Sequence, residues 1–140
     1  MKTTIQTLVN DIQTFALSHQ NNKTFYYLLP ADFNTNKKIY PSIFCNWQGD
    51  TITENTIVNK FTILFLELSS KDQSDLIYCQ SNRNEVCKDL VNYLFHTKNY
   101  NLTSINITPI TEAFEDYLTG VELELEIEDN YQYQCEVPLK

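Results

Sequence analysis

The residues best placed to do chemistry are acidic. Glu122, Glu124, Glu126 and Glu128 alternate with Val121, Leu123, Leu125 and Ile127. A period of two is the period of a β-strand, so the spacing predicts four carboxylates on one strand face and four apolar groups on the other. Same-face neighbours would lie about 6–7 Å apart, given the rise per residue. Like charges at that spacing repel, more strongly where water is excluded. A straight row does not wrap around a cation, which needs converging oxygens. Nor can adjacent positions on one face serve as a glycosidase pair, whose two carboxyls face each other across the substrate. The row reads as a solvated or deliberately negative surface.

The remaining candidates carry less. His19 follows Ser18 at the end of a helical pattern, and His96 lies late in a second one. A Ser–His nucleophile needs an orienting third group and an oxyanion hole, and the sequence provides neither. A histidine at a helix C-terminus more commonly meets the last carbonyls and the helix dipole. Cys45, Cys79, Cys87 and Cys135 contain no C-x-x-C pair, and the two histidines do not complete a zinc pattern. They read as free thiols packed like small hydrophobes. With only Gly49 and Gly120, neither a P-loop nor a dinucleotide-binding turn can form. We expect no catalytic residue, no metal and no cofactor, and a protein that is not an enzyme.

Eighteen acidic residues against ten basic ones leave a net charge of −8 across 140 residues. Nucleic-acid binders need Lys and Arg to displace phosphate counterions, and anionic membranes attract the same residues. Both partners are disfavoured. The apolar run around Ile63–Leu68 is far short of a bilayer span. The N-terminus enters an amphipathic pattern with no signal-type apolar core, which predicts a chain made to stay in a cytosol.

The elements that must position the acidic row follow from periodicity. Ile5, Leu8, Val9, Ile12, Phe15 and Ala16 mark one helical face over residues 4–19. Phe25–Leu29 reads as a short strand before Pro30, and Ala31–Lys38 as a loop. Ser42–Trp47 reads as a strand with Pro41 near its start, and Gln48-Gly49-Asp50 as a turn. Thr51–Lys60 is a candidate edge strand or extended arm. Phe61–Leu68 is apolar on both faces and belongs in the sheet centre. A second helix spans about Asp75–Lys98, with a weak stretch at Ser81–Asn84. Ser104–Thr108 reads as a short strand ended by Pro109, and the glutamate strand begins at Gly120. Residues 130–140 form a tail. The sum is one α+β domain over residues 1–140, ordered α-β-β-β-α-β-β. Two helices pack on one face of a mostly antiparallel sheet, and the glutamates lie on the other.

Several of these segments, in this order, carry a family resemblance. They are the helix to Phe15, Tyr40-Pro41-Ser42-Ile43-Phe44, the strand Phe61–Leu68, and the long helix through Leu90 and Leu94. Phe114-Glu115-Asp116-Tyr117-Leu118-Thr119-Gly120 then leads into Val121–Ile127, and Cys135-Glu136-Val137-Pro138-Leu139 closes the chain. The chain resembles tail-terminator-like neck and tail-completion proteins of tailed bacteriophages, above all those of crAss-like and related Bacteroidetes phages. The resemblance implies a structural virion protein at the head–tail connector or tail junction, without a cofactor. It implies a homo-oligomeric ring of roughly six or twelve copies. Its partners would be itself and neighbouring neck, portal or tail proteins, with DNA passing nearby unbound and no membrane involved.

Glu122, Glu124, Glu126 and Glu128 would then face the ring lumen, where a negative wall would not hold DNA phosphates. Tyr26, Tyr27, Ile52, Ile57, Val58, Tyr131 and Tyr133 are candidate subunit-interface residues, and a strand arm at 51–60 could reach a neighbour by β-augmentation. The alternative is a small acidic binding module, an inhibitor or DNA mimic that occupies a basic partner.

Overall fold

A computed structural model of the chain describes residues 4–27, 39–54, 56–70, 74–113 and 118–130, with only the backbone described at 111–113 and 130. The elements are α1 (Ile5–Ser18), β1 (Thr24–Tyr26), β2 (Ser42–Ile52), β3 (Thr56–Leu68), α2 (Leu76–Asn92), β4 (Asn101–Ala113) and β5 (Leu118–Asn130). A π-helical turn, Tyr93–Thr97, extends α2. The sheet order is β1-β2-β3-β5-β4. Only β1 against β2 is parallel, and the other three pairings are antiparallel. This is the α+β two-layer architecture expected from the sequence, in the expected element order.

Alternation decides which face is covered. Ile43 and Cys45 of β2, Phe61, Ile63 and Phe65 of β3, and Val121, Leu123, Leu125 and Ile127 of β5 are buried together. They pack with Leu8, Ile12, Phe15 and Ala16 of α1 and with Val86, Cys87, Leu90 and Leu94 of the second helical segment. The apolar stripe of each helix meets the apolar face of three adjacent strands. On the opposite face a smaller cluster, Phe44, Leu66 and Leu118, is buried at one end of the sheet.

Helix α1 starts where Thr4 accepts a hydrogen bond from the Thr7 N–H at 3.1 Å, an N-cap. Polar pins then hold the helices to one another. His19 Nε2 lies 2.8 Å from Asp89 Oδ2, joining the end of α1 to α2. The Tyr100 hydroxyl donates to Asp11, and Lys98 Nζ lies 3.6 Å from the same carboxylate. Burial is the main cause that raises the Tyr100 phenol above its ordinary range, and its bond to Asp11 adds to this.

Several expectations need correction. Residues 48–50 are not a turn. They continue β2 through a bulge between Trp47 and Gly49, and Gly49 takes the positive φ of 105° that the irregularity requires. The hairpin closes later, where the Thr53 N–H donates to the Thr56 carbonyl at 2.8 Å. The segment 51–60 is therefore not an arm. It ends β2 and opens β3, which pairs along its length with β5. The weak stretch Ser81–Asn84 does not break α2, because Arg83 is locked into the fold there (below).

The strand at 104–108 runs on to Ala113, with Pro109 opposite Val121. Proline is tolerated because β4 is the edge strand, where its missing N–H can face away from β5. Two bulges, at Leu102/Ser104 and Ile110/Ala113, interrupt the same edge. The short first strand is Thr24–Tyr26. Positions 28–38, the motif residues 114–117 and the tail 131–140, with Tyr131, Tyr133 and Cys135, lie outside the described residues.

Gly120 is the third residue of β5 rather than its start. A Cβ there would stand 1.8 Å from the Phe65 carbonyl oxygen, and the residue's φ is +151°. Steric overlap and backbone strain act together where Gly120 pairs against β3. Gly120→Ala is expected to destabilise the fold by about 3 kcal/mol or more, read as a lowered urea midpoint with an unchanged m-value.

Candidate functional site

The sheet face opposite the described helices is the candidate site, and the β5 register builds it. Glu122 stands between Leu64 and Thr108, and Glu124 between Thr62 and Asn106. Glu126 stands between Lys60 and Ser104, and Glu128 between Val58 and Asn101. All four carboxylates therefore share the face opposite the helices, as the alternation predicted. Uncharged hydroxyls and amides flank them on the β4 side. Among the described residues Lys60 is the one cation paired with them, its Nζ 3.9 Å from Glu126 Oε1, and both side chains are substantially exposed. An exposed pair of that length contributes little.

A shallow depression of about 210 Å³ lies over Lys60, Thr62, Ser104, Glu124 and Glu126. Among the described residues, no group of three His, Cys, Asp or Glu side chains is placed to hold a metal ion. No helix among them is long and apolar enough to cross a membrane.

The candidate interface residues separate into two places. Ile52 is exposed at the end of the β2–β3 hairpin, opposite Ile57, and Val58 follows opposite Thr51 and Glu128. Tyr26 and Tyr27 sit at the β1 edge. The Tyr26 ring stacks on Phe44 with centroids 5.0 Å apart, and its hydroxyl accepts from the Ile39 N–H at 3.0 Å. Tyr27 is half exposed, and its hydroxyl accepts from the Trp47 N–H at 3.4 Å.

Nucleophile geometry does not form at His19. Nδ1 accepts from the Asn21 N–H at 3.0 Å, so Nε2 carries the proton toward Asp89. Both ring nitrogens are engaged by the fold. His96 is exposed on the π-turn, while Cys87 is fully buried in the core. Burial pushes the Cys45 and Cys87 thiols up to about 12, and Cys79 up to about 11.

Sequence reasoning missed one cluster. Arg83 is only 1% exposed. Its Nη1 donates to Asn22 Oδ1 at 3.1 Å, its Nη2 donates to the Asn21 carbonyl, and its Nε lies 3.8 Å from Glu67 Oε2. The signal was present, because positions 79, 83, 86, 87 and 90 share one helical face and four of them are apolar. No protein-family model matches the chain, and no curated protein matches it.

Two predictions follow from this geometry. Replacing Glu124 and Glu128 together by glutamine should raise stability by about 0.5 kcal/mol at low salt, and the gain should vanish in 1 M salt. Denaturation at the two ionic strengths checks it. Cys45, Cys79 and Cys87 should resist iodoacetamide at about pH 8 in the native chain and react fully in denaturant, since the thiolate is the reactive form. Peptide mass mapping reads each site.

Proposed function

We propose that this chain is a structural ring subunit of the neck or tail junction of a tailed bacteriophage, a tail terminator or head–tail connector, with its acidic sheet face toward the DNA channel. The observation that carries the reading is the placement of Glu122, Glu124, Glu126 and Glu128 on the sheet face opposite the helices, where Lys60 is the one cation paired with them among the described residues. Phosphate binding depends on several cations that release counterions, and a carboxylate row with one exposed lysine beside it offers little of that. Duplex DNA would pass such a wall without being held.

The sheet borders support assembly. Among the described strands, β1 pairs with only Ser42–Phe44 of β2 at one border of the sheet, and β4 forms the opposite border. Borders at opposite ends of one sheet suit a head-to-tail contact, which closes into a ring when the rotation per subunit divides a full turn. The exposed Ile52 at the hairpin end offers an apolar contact for a neighbour. In this reading the neighbours above and below the ring are portal, neck or tail proteins, and the protein resides in the virion.

The same acidic face favours a second reading, a small module that occupies a basic partner surface. Light scattering after size exclusion, followed by electron microscopy, separates the two. The ring reading expects closed particles of roughly six or twelve subunits with the β5 glutamates lining the hole. Rings that carry those glutamates on the outer wall would sink the lumen assignment. A stable monomer that captures a basic protein in one-to-one stoichiometry would replace the ring with the binding module.

A further inference from the structure

We propose that the cleft between the end of α1 and the first half of α2 binds a small oxyanion, a carboxylate or a phosphate, through Arg83 and Lys23. The inference is independent of the ring reading. The cleft encloses about 460 Å³, and Asn21, Asn22, Lys23, Glu67, Asn82 and Arg83 are among the residues that line it. In a chain of net charge −8, the described residues of its lining include two cations against one carboxylate. The other polar groups named are neutral amides, which hydrogen-bond an anion without repelling it.

Arg83 is the unusual member. A guanidinium has five N–H donors and stays protonated. Here it is almost wholly buried, and its two hydrogen bonds go to neutral acceptors, Asn22 Oδ1 and the Asn21 carbonyl. The buried Nε has no hydrogen-bond partner among the described residues. Glu67 pairs with it, yet at 3.8 Å from Nε the carboxylate is beyond hydrogen-bond range. Burial disfavours the charged form of Arg83, and Glu67 offsets part of that cost. A buried charge with unused donors is a strained arrangement unless an anion completes it.

The surroundings are built to hold the guanidinium still. Asn22 is itself buried, and its Nδ2 donates to the Ala16 and Thr24 carbonyls, both at 2.9 Å, which aims Oδ1 at Arg83. The Asn21 N–H is tied to His19 Nδ1, and His19 to Asp89. Asn21 therefore presents its carbonyl from a fixed position. Lys23 is exposed at the cleft, with its backbone N–H bonded to the Pro41 carbonyl at 2.9 Å. Such preorganisation lowers the ordering cost of binding. Glu67, 27% exposed at the end of β3, is the competitor that an incoming oxyanion must displace or neutralise.

That competition gives the test its sign. The full chain is titrated separately with inorganic phosphate and with acetate, at constant ionic strength set by sodium chloride, while the Arg83 Nε–H and the Asn21 and Asn22 amide resonances are followed. Saturable shifts centred on Arg83 are expected, with a Kd on the order of 1–10 mM. The stronger probe tells phosphate from carboxylate. Glu67→Gln should tighten binding several-fold, and Lys23→Ala should weaken it several-fold. A purely structural Arg83–Glu67 pair would instead leave anion response absent in both variants. Overturning results are shifts that chloride reproduces, shifts that do not saturate with either probe, or an affinity unchanged by Glu67→Gln. Arg83→Gln should abolish the response. If that variant fails to fold, Glu67→Gln and Lys23→Ala decide the matter alone.

Discussion

The pairing of β3 with β5 is the constraint on which the rest of the structure depends. The two strands pair at thirteen consecutive positions, from Thr56↔Asn130 to Leu68↔Leu118, without a bulge. A slip of one residue in β5 would turn Glu122, Glu124, Glu126 and Glu128 toward the helices and send Val121, Leu123, Leu125 and Ile127 into water. Burying four carboxylates without partners would cost far more than a domain's whole margin of stability. The acidic pattern thus fixes register as well as decorating a surface. Gly120 adds a second lock, because only a residue without a Cβ can lie against the Phe65 carbonyl at that point of the ladder.

The helical layer depends on this pairing, since its apolar stripes pack on the face that β3 and β5 share with β2. Its orientation is held by polar contacts at both ends of the α1–α2 seam. At one end His19 reaches Asp89, and Asn21 and Asn22 reach Arg83. At the other, Tyr100 and Lys98 converge on Asp11. Hydrophobic burial is non-directional and would tolerate some sliding of helices over a sheet. Hydrogen bonds with fixed geometry remove that freedom.

Most of the architecture was legible in the sequence because it is written in periodicity. The 3.6 period of Ile5–Ala16 and the two-residue period of Val121–Glu128 each name a buried face. The doubly apolar Phe61–Leu68 names a central strand. Features set by distant partners were not legible. A glycine after Trp47 marks a turn or a bulge with equal force, and only the partner strand decides. Pro109 ends a strand unless that strand is an edge. The β1 strand is three residues long, and its local pattern says nothing of its parallel partner. The acidic face was legible, whereas the Arg83 cleft was not, because its members lie up to 62 positions apart and only the fold brings them together.

The irregular border of β4 has a consequence for how copies could join. A long exposed strand is ordinarily a template on which further strands can stack without limit. Here bulges stand near both ends, at Leu102/Ser104 and Ile110/Ala113, and Pro109 lacks a donor. An incoming strand would find an uninterrupted ladder only from Ser104 to Thr108, a toothed strip with its stops already cut. A border of that kind admits one short neighbour in one alignment and discourages open-ended fibres, so the chain can keep a sociable edge at high local concentration without turning into amyloid.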